Sequence, residues 1–122
     1  MESPYKGKTG LRRLINAFGY SMAGLKAAYT NEDAFRQEVL MTIVLVPLAL
    51  YLGESGIAKA AMIASVLLVV IVELLNSSIE ATVDRISLEN HMLAKRAKDI
   101  GSAAVLISLI NLAVVWLLIL LG

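Results

Sequence analysis

Five polar residues in the stretch Val72–Arg85 (VELLNSSIEATVDR) are spaced for joint chemistry. Glu73, Asn76, Ser77, Glu80 and Asp84 fall at i, i+3, i+4, i+7 and i+11, which at 3.6 residues per turn stacks them on one face of a helix. Carboxylates and an amide in one row suit a hard divalent cation. Magnesium prefers carboxylate oxygens, keeps several waters and usually shares its shell with substrate phosphates. The chain has no cysteine and one histidine, so no zinc cluster competes and there is no thiol nucleophile or disulfide framework. Lys95, Arg96 and Lys98 could meet nucleotide phosphates, and Glu73 could take a proton from an alcohol. Phosphoryl transfer needs little more than positioning, metal, countercharge and a base. Two plainer readings stand beside this one. The row could be a solvated helix end just past a membrane span, and the basic cluster could serve only as a topology signal.

The length of the helix that carries the row bears on that choice. Ala60 to Val72 is a run of thirteen residues without a charge, whereas a membrane-spanning helix needs roughly 20. A span through this run must therefore take in Lys59 at one end or Glu73 and Asn76 at the other. Ionisable groups at such depth are costly and are functional by default. Glu73, the first polar residue after the run, is the deepest carboxylate. Glu80 lies two turns further on, about 10 Å nearer water at 1.5 Å per residue.

Composition sets the same frame. With 122 residues, 58% of them hydrophobic, and a mean hydropathy of +0.75, the chain reads as one all-α membrane domain. A net charge of +1 gives no sign of a nucleic-acid partner. Residues 1–10 form a polar arm, and no apolar signal-peptide core follows in the first thirty residues, so internal spans must direct insertion. The Gly7-Lys8-Thr9 triplet lacks the glycine that a phosphate loop needs five positions earlier, where Glu2 stands.

Residues 11–29 are amphipathic. Leu11, Leu14, Ile15, Phe18, Met22, Leu25 and Tyr29 fall within an arc of about 100°, with Arg12, Arg13, Asn16 and Tyr20 opposite. A basic polar face of this kind suits a helix lying in the membrane interface. Thr30-Asn31-Glu32-Asp33 reads as a helix start, a capping side chain followed by acids in the first turn. A first span over 32–53 follows, with Pro47 expected to kink it. Gly53-Glu54-Ser55-Gly56 makes a tight turn into a second span, 57–85. After a charged connection, the third span occupies 98–122, with Trp116 placed for an interfacial aromatic belt.

Five Lys and Arg residues precede the first span, Arg36 lies near its start, one lies in the 53–59 turn, four lie in the 85–98 connection, and none follows the third span. The positive-inside rule then places the N-terminus in the cytoplasm. Glu32, Glu73, Glu80 and Lys98 thereby share one membrane face. Three short helices enclose little. The pairs Ala60/Ala64, Ala61/Ser65 and Ala97/Gly101 permit close helix approach in lipid, which predicts oligomerisation or packing within one protomer.

The run Glu73-Leu74-Leu75-Asn76-Ser77-Ser78-Ile79-Glu80-Ala81-Thr82-Val83-Asp84 resembles the signature E-x-x-N-S-x-I-E-x-x-V-D of the small bacterial integral-membrane diacylglycerol kinases. The resemblance extends to Asn31-Glu32-x-Ala34-Phe35-Arg36-Gln37-Glu38, to Gly19-Tyr20-Ser21 and Gly24-Leu25, and to Ala97-Lys98-Asp99-Ile100-Gly101-Ser102-Ala103-Ala104. It covers the chain from about Arg13 onward and departs at Met22, Tyr29 and Pro47. It implies a homotrimer in the bacterial inner membrane, each protomer with a surface helix and three transmembrane helices. The implied reaction converts MgATP and diacylglycerol to phosphatidic acid and ADP. Carried over by position, Glu73 corresponds to the catalytic base, and Glu32 and Glu80 to the magnesium ligands. The resemblance assigns Arg13, Tyr20, Glu32, Asn76, Glu80, Glu89, His91, Lys98 and Asp99 to ATP. It assigns Arg13, Glu73, Ser102 and Trp116 to the lipid.

Three other readings compete. A sister kinase acting on undecaprenol shares the signature. A small ion-coupled exporter would use one membrane glutamate but has no need of Glu32, Lys98 or Asp99. A purely structural subunit would leave five aligned polar groups unexplained.

Overall fold

The computed structural model describes residues 9–86 and 91–122. Four helices follow in order: α1 (Gly10–Asn31), α2 (Asp33–Leu52), α3 (Gly56–Ile86) and α4 (Met92–Leu121). There is no strand among the described residues. The chain divides into two compact units, residues 1–31 and residues 32–122.

The first unit contains α1. Its apolar row stays open: Leu11, Leu14, Ile15, Phe18, Met22, Leu25 and Tyr29 are all exposed. The sequence predicts an amphipathic helix over 11–29 and a new helix start within Thr30–Asp33. Instead α1 continues to Asn31, whose Nδ2 donates back to the Ala27 carbonyl at 2.8 Å. The single non-helical residue between α1 and α2 is Glu32, which occupies the N-cap position of α2 without a capping hydrogen bond from its side chain. Its carboxylate is therefore not spent on the helix start.

In the second unit α3 is central, packing against α2 on one side and α4 on the other. Each of the three is long and apolar enough to cross a membrane. Their outer faces carry exposed Leu40, Ile43, Leu67, Ile71, Leu106 and Leu118, which suits lipid rather than water. The α2–α3 turn is tight. Gly53 N–H closes α2 on the Ala49 carbonyl at 2.9 Å, and a Cβ on Gly53 would lie 2.6 Å from Lys59 Cγ. Ser55 Oγ then accepts from Ala58 N–H to start α3. Pro47 does not end α2, which runs on to Leu52.

At this end of the unit Ala49, Met62, Val66 and Trp116 form the buried apolar cluster, with Leu45, Leu52, Leu112 and Val115 packed around it. Trp116 belongs to this cluster. Placed near the end of α4, it reads as a lipid-facing or belt residue. The structure buries it, and its Nε1–H reaches across to α3, 3.2 Å from both the Met62 carbonyl and Ser65 Oγ.

Candidate active site

The buried positions of α3 are Met62, Ser65, Val66, Val69, Glu73 and Asn76. Their steps of three and four residues trace one helix face. The polar row is thus the continuation of the buried apolar row, with Glu73 and Asn76 occupying positions where the pattern would otherwise place Val or Leu. Glu73 is 5% exposed and Asn76 9%. Ser77 and Glu80, further along, are half-buried, and Asp84 is exposed. Burying a carboxylate costs several kcal/mol or more by order of magnitude, so its retention needs a purpose beyond packing.

Asn76 is held from two sides. Its Nδ2 donates to Glu80 Oε1 at 3.3 Å, one turn along α3. Its Oδ1 is buried without a hydrogen-bond partner among the described residues. Gly101 of α4 lies directly against this carboxamide. Across the α2–α3 interface, Glu38 is also buried, at 8% exposure, and its Oε2 likewise has no partner among the described residues. Glu38 feels the charge of Glu73, and Glu73 feels those of Glu80 and Glu32. Carboxylates of α3, α2 and the α2 N-cap therefore lie within electrostatic reach of Glu73.

Among the described residues no three Asp, Glu or His groups converge into a ready-made cage. Glu32 at the α2 N-cap and Glu80 on α3 are both half-buried, and carboxylates are the donor type that magnesium takes when water and substrate phosphates complete its shell.

Lys98 on α4 forms an ion pair with Asp84 on α3, Nζ to Oδ1 2.6 Å, next to the Glu80 turn. Asp99 pairs with Lys95 at 2.6 Å along the exposed side of α4. His91 is the N-cap of α4, its Nδ1 accepting from Leu93 N–H at 3.0 Å, which leaves Nε2 as the protonated nitrogen of the neutral ring. Ser102 is exposed. Arg13 and Tyr20 are exposed on α1, seven residues apart and so on one side of that helix. Glu89 lies outside the described residues.

Glu38 is the residue that sequence reasoning passed over. It stands inside the Asn31–Glu38 block, but nothing in its own helix marks it. Its significance comes from Glu73 on the facing helix, and only packing reveals that. Asp84, counted in the polar row but given no role, acts as the partner of Lys98.

The sequence profile of the prokaryotic diacylglycerol kinases matches residues 19–120. A diacylglycerol kinase of Pseudomonas aeruginosa is 58% identical over 120 residues, 98% of each chain. One of Haemophilus influenzae is 53% identical over 108 residues, 88% of this chain and 92% of the relative. One of Escherichia coli K12 is 52% identical over 112 residues, 92% of each.

Proposed function

The chain belongs to the prokaryotic diacylglycerol kinase family, and we propose that it transfers the γ-phosphoryl group of MgATP to diacylglycerol at the cytoplasmic face of the bacterial inner membrane. It is a lipid kinase and a bacterial membrane protein. The observation that carries the finer reading is the burial of Glu73 where the apolar row of α3 ends, since a lipid hydroxyl lies at that depth and phosphates lie beyond it.

Glu73 takes the proton of the primary hydroxyl as its oxygen attacks the γ-phosphorus. The bond from that phosphorus to the β,γ-bridging oxygen breaks, ADP leaves, and phosphatidic acid remains. A carboxylate short of water is a better acceptor for this proton than a fully hydrated one. Glu32 and Glu80 hold magnesium, which when bound offsets the charge on the phosphate oxygens. Asn76 orients Glu80 through the Nδ2–Oε1 hydrogen bond. Lys98, kept at the same turn by Asp84, supplies countercharge to the nucleotide. The family resemblance assigns Arg13, Tyr20, Glu89, His91 and Asp99 to the nucleotide as well, and Arg13, Ser102 and Trp116 to the lipid.

The functional unit is a homotrimer. Ser65 and Gly101 are buried within the protomer, while Ala60 and Ala64 face outward on α3. That small-residue face is open for helix contact between copies. Crosslinking in detergent that yields only monomers, with activity retained, would refute the trimer.

The reaction itself is tested with γ-labelled ATP, purified protein and diacylglycerol in mixed micelles, followed by lipid extraction. Label in phosphatidic acid supports the reading. Label that enters undecaprenol in preference, or no lipid at all, contradicts it.

A further inference from the structure

We infer that Gly101 is a positioning residue for phosphoryl transfer, holding the Asn76 carboxamide in the place from which it fixes Glu80. The inference rests on the kinase reading above. Gly101 lies in the interior of α4 and is buried against α3. Its φ is not in the left-handed region, so the backbone does not require glycine there. Helix propensity favours alanine over glycine at such a position. What glycine supplies is space. A Cβ on Gly101 would overlap Asn76 Oδ1 and come within 3.2 Å of Asn76 Cγ.

The colliding atoms are the far end of a short side chain, and they can turn aside. The same carboxamide donates to Glu80 Oε1 at 3.3 Å, so turning it aside gives up that hydrogen bond. An added methyl is thus absorbed by rotation of Asn76, at the expense of the orientation of Glu80 and with little loss of packing. The site already sits at the geometric limit of its hydrogen bond, so a displacement of a few tenths of an ångström breaks it. Gly101 touches neither nucleotide nor lipid in this account and acts wholly through Asn76.

The test compares wild type, Gly101→Ala, Asn76→Ser and the double variant, each purified in detergent. The measurements are thermal unfolding, the magnesium concentration for half-maximal rate, and the KM values for ATP and diacylglycerol. The expected result for Gly101→Ala is an unfolding temperature equal to or above wild type. Its magnesium requirement and KM for ATP rise about tenfold, and its KM for diacylglycerol changes less than twofold. With Asn76→Ser there is no carboxamide to displace, so adding Gly101→Ala costs less than a further twofold. Wild-type magnesium dependence in an active Gly101→Ala protein overturns the inference. So does a lowered unfolding temperature, which would make the position a packing contact, and so does an equal penalty in the Asn76→Ser background. Failure of the underlying reading is distinct: wild type itself would transfer no phosphate to lipid.

Discussion

Lys98 on α4 and Asp84 on α3 meet at 2.6 Å, the ion pair that joins the two helices one turn beyond Glu80. Both side chains are about half exposed, and exposed ion pairs add little to stability. On the proposed function, the pair holds the Lys98 ammonium where nucleotide phosphates arrive. Asp84→Asn should therefore leave the unfolding temperature nearly unchanged while raising the KM for ATP several-fold. Initial rates across an ATP series, alongside thermal unfolding, check this. A large drop in stability with unchanged KM would make the pair a structural clamp.

Trp116 is predicted to matter for stability and not for turnover. Trp116→Phe keeps most of the ring volume but loses the Nε1–H shared by Ser65 Oγ and the Met62 carbonyl. Hydrogen bonds between helices in membranes are worth about 1 kcal/mol, and a loss of that order is expected in a denaturant series in mixed micelles. The folded fraction should keep its rate within about twofold. A selective rise in the KM for diacylglycerol with unchanged stability would instead support the lipid-contact role that the sequence resemblance implies.

The sequence and the packing carry different parts of this account. Fold class was legible because run length and hydropathy are local properties: Val39–Leu52, Ala60–Val72 and Ile100–Leu121 are uncharged, and each lies within a helix that can cross a membrane. The polar row of α3 was legible for the same reason, since all five residues share one helix and one period. Relations between helices were not. Trp116 near a span end suits a belt by position alone, and only the packing of α4 on α3 supplies the acceptors that draw it inside. Glu38 gains its interest from Glu73, 35 positions away in the chain. The hydrogen bond from Asn31 to Ala27 likewise competes with the capping role that its residue type suggests.

Glu32→Gln and Glu80→Gln are predicted to raise the magnesium requirement and weaken ATP binding together. The two carboxylates come from the α2 N-cap and from α3, and both act on Glu73. Each substitution keeps the side-chain shape but removes a charged oxygen that magnesium prefers. Titration of activity with magnesium at fixed ATP, and nucleotide binding by calorimetry, should shift in parallel in each variant. Wild-type magnesium dependence in either variant removes that residue from the metal site.

The central claim is that Glu73 is the base for the lipid hydroxyl. Glu73→Gln retains shape and most hydrogen bonding at the buried position but cannot accept the proton. The deciding measurement is the initial rate of Glu73→Gln on a short-chain diacylglycerol, with nucleotide affinity measured calorimetrically on the same sample. General-base catalysis contributes about 10²- to 10⁴-fold, so the rate should fall by about that factor while affinity for MgATP stays within a few-fold of wild type. A variant that keeps more than about a tenth of the rate contradicts the claim and reduces Glu73 to a group that only positions the site.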